Sequence, residues 1–388
     1  MRSARTVTAR IIRPNETTMT LSIPPDLLPR DGRFGCGPSK VRPEALAALA
    51  AIGDTLLGTS HRKPRVKDQV ARLRTGLAAL FDLPEDYEVL LAVGGATAFW
   101  DSAAFGLVEQ RARHYVFGEF SSKFAKATAA APWLEDPDVI AADPGSRPEA
   151  GAAPGCDVQA FTHNETSTGV MQSPARLDDA LVVVDATSGA GGLPVDLTAV
   201  DVYYFSLQKG FASEGGLTVA LLSPAAVARI EHLAASGRYI PAFLDLKTAL
   251  DNSRKDQTYN TPSVSTIFLA AEQVEWMLAT VGGLEGAVEA QRAKAGQIYG
   301  WAEDRSFATP FVTEPDARSL VVATIDLDAA VPADDVNRVL RANGVLDTDA
   351  YRKLGRNQLR LGMFPAVNAA DLEAYTACVD WIVARLAA

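Results

Sequence analysis

The 388 residues, 48% hydrophobic and 22% charged, fit a folded globular chain long enough for two cores, so a large and a smaller domain are expected. The 37 basic and 47 acidic residues leave a net charge of −10, with no basic stripe interleaved with aromatics. That argues against nucleic acid or an anionic membrane as partner and requires any anionic substrate to be held by a local cluster of cations.

The first twenty residues, MRSARTVTARIIRPNETTMT, are basic, but polar residues and Pro14 interrupt them before the apolar core of a signal peptide can form. Residues 1–32 are therefore expected to be a partly disordered extension, with Met19 as an alternative start. From Tyr87 onward short apolar runs alternate with helical stretches: YEVLLAVG, HYVFG, DVIAA, DVQAFTH, ALVVVDA, DVYYFS and GLTVALL. Several are Val-rich and apolar on both faces, as strands between two helix layers must be, so the expected large domain, 33–285, is α/β with a mainly parallel sheet. Ligands collect at the carboxyl ends of the strands in such sheets.

Near Ile267 the pattern becomes a long helical stretch, with Gly282-Gly283 as its break. Beyond it SLVVATIDL and NQLRLGMF read as strands, PADDVNRVLRAN and AADLEAYTACVDWIVARLA as helices, giving a small α+β domain over 286–388. Cys36, Cys156 and Cys378 lie far apart without a CxxC pair and suit a reducing cytosol, and no run reaches the roughly 18 apolar residues of a membrane span. No metal is expected.

Three strand ends carry the chemistry. In DVYYFSLQKGFASEGG a strand runs into Ser206-Leu207-Gln208-Lys209-Gly210, leaving Lys209 just past its carboxyl end. A lone lysine on such a loop is ordinarily a solvated side chain. In ALVVVDATSGAGG, Asp185 ends an apolar run, where a lone aspartate is ordinarily a turn or helix cap. Together they match the needs of pyridoxal phosphate (PLP): an amine to form a Schiff base and an acid facing the pyridine nitrogen. The third, LLAVGGATAFWDSAAFGL, is strand, Gly-Gly turn and helix, whose first amides at Ala96 and Thr97 suit a phosphate. It matches neither the dinucleotide fingerprint nor the P-loop.

The segments FGCGPSKVRPEAL, GTSHRKP, VGGATAFW, HNETSTG, VVDATSG, SLQKGFASEGG, YNTPSVSTIF and LRLGMF, in this order from about Arg33 to the C-terminus, resemble the phosphoserine aminotransferase family, particularly its actinobacterial form. The resemblance implies a fold-type-I PLP-dependent transferase with a seven-stranded sheet, a homodimer with sites at the subunit interface, and exchange of an amino group between L-glutamate and 3-phosphohydroxypyruvate. It implies Lys209 as the Schiff-base lysine, Asp185 as partner of the pyridine nitrogen, Thr166 beside the 3-oxygen and Phe120 on the ring face. Many relatives carry Trp at the last position. It implies Ala96, Thr97 and Gln208 at the cofactor phosphate, with Asn260 and Thr261 reaching it from the other subunit. Ala96-Thr97 stands where other branches have Gly-Arg, so one phosphate cation is missing. Arg360 would take the α-carboxylate, its planar fork suiting bidentate contact. His61 and Arg62 would enter from the neighbouring subunit to meet the second anion; Lys63, Arg352 and Arg356 are further cations without an assigned place. The alternatives are another fold-type-I enzyme of the alanine–glyoxylate or serine–pyruvate type, and a PLP-binding regulatory protein without catalysis.

Overall fold

The computed structural model describes residues 21–386; the expected extension over 1–20 and the alternative start at Met19 lie outside them. In chain order the elements are α1 (Pro43–Leu56), α2 (Pro64–Leu80), β1 (Glu88–Val93), α3 (Gly95–Gly106), β2 (Ala112–Val116), α4 (Glu119–Ala129), β3 (Asp138–Ala141) and β4 (Val158–Thr162). A short hairpin, β5 (Asn164–Glu165) and β6 (Val170–Met171), precedes β7 (Leu181–Asp185), β8 (Val202–Ser206), β9 (Leu217–Leu222), α5 (Pro224–Ala235), α6 (Leu246–Ser253) and α7 (Val264–Trp276). The chain closes with α8 (Gly283–Glu303), β10 (Ala308–Pro310), β11 (Val322–Leu327), α9 (Ala333–Ala342), β12 (Gln358–Gly362) and α10 (Ala369–Leu386).

Seven strands form the main sheet in the order β1-β9-β8-β7-β4-β2-β3. β8, β7, β4, β2 and β3 run parallel, and β9 is antiparallel to both β8 and β1, so one strand of seven is reversed. Every residue of β4, β7, β8 and β9 is buried, as the two-sided apolar runs require. One face packs on α2 and α7 through Leu73, Leu77, Ile267 and Val274; the other packs on α3, α5 and α6 through Phe99, Trp100, Ile230 and Leu250. Gly282 and Gly283 adopt φ of 89° and 71°, left-handed values that suit glycine, and they break α7 from α8 where the sequence expects a break.

The smaller core joins α8, α9 and α10 to the antiparallel sheet β10-β11-β12. It also contains a segment that the sequence assigns elsewhere. Residues 21–36, expected partly as extension and partly as the start of the large domain, pack against the C-terminal elements. Phe34 is fully buried against Tyr375, with ring centroids 5.2 Å apart. The Ile23 amide donates to Asn343 Oδ1, and Gly362 donates to the Phe34 carbonyl at 2.7 Å. The segment has no apolar period of its own, because its partners lie more than 300 residues away. No helix among the described residues is long and apolar enough to cross a membrane.

Candidate active site

The carboxyl ends of β1, β4, β7 and β8 open onto one cavity of about 290 Å³. Ala96, Thr97, Phe120, Thr166, Asp185, Gln208 and Lys209, far apart in sequence, all line it. β8 ends at Ser206 and hands the chain to the loop that carries Lys209. Two contacts fix that loop from behind: the Ser39 amide donates to the Gln208 carbonyl at 2.8 Å, and Ser39 Oγ donates to the Lys209 carbonyl at 2.6 Å. Gly210 follows because a Cβ there would meet the Ala190 carbonyl oxygen at 2.2 Å.

Lys209 is buried, and its Nζ donates to Thr166 Oγ1 at 3.0 Å. Burial lowers its pKa to about 8. Among the residues lining the cavity it is the only cation. Thr166 Oγ1 in turn donates to Ser188 Oγ at 2.8 Å, and Ser188 Oγ donates to the Asn164 carbonyl, so the hairpin β5–β6 and the turn after β7 are linked beneath the lysine. The Phe120 ring lies 5.3 Å from Lys209 Nζ.

Asp185 is the last residue of β7 and is 4% exposed. Its Oδ1 accepts the Thr187 amide at 2.9 Å and its Oδ2 accepts Trp100 Nε1 at 3.0 Å. Each oxygen is pinned by one donor and keeps acceptor capacity for the cavity. Trp100, one helical turn into α3, stands out in the sequence only as an apolar position; its tie to Asp185 depends on packing between layers.

At the start of α3, Gly94 and Gly95 have φ of 127° and 75°, and a Cβ on Gly94 would lie 2.7 Å from the Ala98 Cβ. The Ala96 amide donates to Ser206 Oγ at 2.7 Å, so this first-turn donor is already engaged, and Ser206, which opens the SLQKGFASEGG segment without a role assigned from sequence, joins the cavity wall. Gln208 Oε1, Thr187 Oγ1 and Asn164 Oδ1 are buried without a hydrogen-bond partner in the protein. A pocket that leaves polar atoms unmatched is built for a polar occupant.

Glu165 is a further residue that the motifs leave unexplained. Its Oε2 accepts from the Phe120 and Ser121 amides and from Ser121 Oγ, its Oε1 from the Ser167 amide and Oγ, all at 2.7–3.2 Å. It caps α4 from a distant strand and holds Phe120 beside Thr166. Burial pushes its pKa up, opposed by the donors of Ser121 and Ser167. Gly118 makes the approach possible, since a Cβ there would come within 2.3 Å of Glu165 Cγ.

Arg360, on β12, lies in a second cleft of about 910 Å³, walled by residues 35–38 and by the C-terminal elements, which shares Gly37 with the first. Its Nη1 donates to the Thr166 carbonyl at 3.2 Å, its Nε is buried without a partner, and its guanidinium lies 5.3 Å from the Tyr351 ring. Arg352 lines the cleft, as do Lys353, paired with Glu119, and Arg356, paired with Asp326.

His61, Arg62, Asn260 and Thr261 do not line the cavity of their own chain. They gather elsewhere: Thr261 Oγ1 and His61 Nδ1 are 3.1 Å apart, and Arg62 donates to Gln257 Oε1 and to the Tyr259 carbonyl. Lys63 precedes α2 on the same exposed loop.

Residues 146–347 match the class-V aminotransferase family. A phosphoserine aminotransferase of Nocardioides sp. is 60% identical over 95% of this chain and 100% of its own length. Among solved structures, a phosphoserine aminotransferase from Cytophaga hutchinsonii superposes with a TM-score of 0.83 at 24% identity, covering 90% of this chain and 99% of that one. Another, from Bacillus circulans subsp. alkalophilus, gives 0.81 at 24% identity over 92% and 99%.

Proposed function

We infer that this chain, which belongs to the phosphoserine aminotransferase family within the class-V aminotransferases, transfers the amino group of L-glutamate to 3-phosphohydroxypyruvate, giving O-phospho-L-serine and 2-oxoglutarate in serine biosynthesis. The observation that carries the reading is a buried lysine, held down to about 8, sharing one small cavity with a doubly pinned aspartate and an aromatic ring.

The residues fit PLP. At about 290 Å³ the cavity lies close to the lower end of the roughly 300–1,000 Å³ typical of small-molecule sites, and its unmatched Asn164, Thr187 and Gln208 atoms call for a polar occupant. Bound there, PLP supplies an aldehyde that takes up the amino group and a pyridinium ring that accepts the electrons left when a Cα–H bond breaks. Lys209 Nζ anchors the group and afterwards carries the proton to and from Cα, a role that suits an amine poised near neutral pH. Asp185 holds the proton on the pyridine nitrogen, with Trp100 and Thr187 fixing its orientation. Phe120 would cover one ring face, and Thr166 would stand by the ring oxygen. The α3 N-terminus, with Thr97 and Gln208, receives the phosphate. Arg360, whose Nε has no partner, takes the substrate α-carboxylate.

His61, Arg62, Asn260 and Thr261 then serve the site of a second copy, with the first pair meeting the phosphate or the γ-carboxylate of the substrates. A homodimer is supported by exposed aromatic side chains: Tyr239 is 80% exposed, Phe243 48% and Tyr259 44%; a Cβ on Gly94, at the cavity, would sit 3.6 Å from the Phe243 ring, and Tyr259 shares a small pocket with Phe243. The three cysteines are free thiols, which suits the cytosol.

An amino-acceptor panel tests the reading. With glutamate as donor, 3-phosphohydroxypyruvate is expected to exceed pyruvate and glyoxylate in kcat/KM by at least about a hundredfold, the scale of losing a partner for a charged group. Comparable rates with pyruvate or glyoxylate would favour the alanine–glyoxylate type of reaction, and full activity in Lys209→Ala would remove the lysine assignment.

A further inference from the structure

We propose that the Ser206 hydroxyl is a hydrogen-bond donor to the cofactor phosphate and a main determinant of how tightly that phosphate is held. The proposal rests on the cavity being the PLP site. Ser206 closes β8, is 1% exposed and faces the cavity beside the first turn of α3. Its Oγ accepts the Ala96 amide at 2.7 Å, and among the described residues it donates to nothing. A hydroxyl carries one proton and two lone pairs, so an oxygen whose lone pair faces the helix has its proton free to rotate toward the cavity.

The chemistry of this end of the cavity gives that proton its weight. A phosphate is acceptor-only, and the sole cation of the wall, Lys209, is tied to Thr166 Oγ1. The dianion must therefore be met within this chain by neutral donors and the helix dipole: first-turn amides, the Thr97 hydroxyl, the Gln208 amide and Ser206. Gln208 Oε1 is buried and unmatched, which suits a side-chain amide that turns its NH₂ toward an acceptor. Gly95 keeps the approach open, since a Cβ there would already be 3.4 Å from Ser206 Oγ. Where no arginine shares the charge, each donor to the phosphate counts as a charge-assisted hydrogen bond.

Equilibrium dialysis of the apo-protein against PLP and against pyridoxal separates a phosphate donor from a structural serine. Ser206→Ala is expected to weaken PLP binding about ten- to a hundredfold, the usual effect of losing a hydrogen bond to a charged group, while leaving pyridoxal binding within about twofold. Ser206→Cys, close in size with a weak donor, should fall between wild type and Ser206→Ala for PLP and also leave pyridoxal unchanged; it guards against a loss due only to the cavity. Equal weakening of both ligands would make Ser206 a mere brace for α3, and unchanged PLP binding would likewise overturn the proposal. Failure of the wild-type chain to bind PLP at all would instead remove the cofactor reading, and this inference with it.

Discussion

Lys209 and Asp185 were legible in the sequence because Asp185 ends a continuous apolar run and Lys209 lies in the loop just past another, and the end of a buried strand is where a parallel sheet meets its ligands. Trp100, Ser188, Ser206 and Glu165 were not, since each acts through a partner 22 to 110 positions away that only strand order and layer packing bring near. The environment of Lys209 has a measurable consequence. A free lysine titrates near 10.4, whereas burial holds this amine at about 8. The amine attacks an aldehyde as the free base, whose share grows as pH rises through the pKa. Uptake of PLP by the apo-protein should therefore accelerate with pH and level off above about 8, as read from growth of the visible absorption band in rapid mixing. A rise continuing to pH 10 would mean that the lysine is solvated before the cofactor arrives.

At the scale of elements, helix and strand periods located the sheet, the α7–α8 break at Gly282-Gly283 and the small-domain helices, because those patterns are local. The reversal of β9 left no mark, as a strand buried on both faces looks the same in either direction. The placement of residues 21–36 against the C-terminal core was equally invisible, being set by Asn343, Leu346 and Tyr375 rather than by the segment's own pattern. α4 shows how an element depends on a distant group. Its N-cap, Gly118, offers no side chain, so Glu165 takes the Phe120 and Ser121 amides, while Ser167 Oγ takes the Glu119 amide and Ser121 Oγ the Gly118 amide. Glu165→Ala would take the acceptor from five donors, of which the Ser121 hydroxyl can still turn to the Gly118 carbonyl and the Phe120 amide is only part-buried. Unsatisfied donors cost about 1–3 kcal/mol each, and repacking or entry of water recovers part of this, so a net loss of about 3 kcal/mol is expected in urea unfolding. PLP affinity should fall in the same variant, because Phe120 and Thr166 lose their common tie. A loss of stability below about 1 kcal/mol would show that α4 holds its start without Glu165.

At the scale of the whole molecule the single chain leaves a division: the cavity holds the amine, the carboxylate and the ring contact, while His61 and Arg62 sit apart from it with Thr261 and Tyr259. If each site takes Lys209 from one copy and Arg62 from the other, two inactive variants should rescue one another. Lys209→Ala and Arg62→Ala, co-refolded in equal amounts, form mixed dimers in which the copy that keeps Lys209 receives Arg62 from its partner, while the other site carries both defects. Random pairing makes about half the dimers mixed, with one intact site in two, so activity should return to roughly a quarter of the wild-type value per site. The double variant combined with either single variant restores nothing, because every site then lacks Lys209 or Arg62. Recovery in the first mixture alone requires sites shared between subunits. A silent first mixture, with mixed dimers verified by mass spectrometry, would mean that Arg62 serves its own copy's site or none, and the cations for the second anion would then have to be sought in the cleft that holds Arg352 and Arg360.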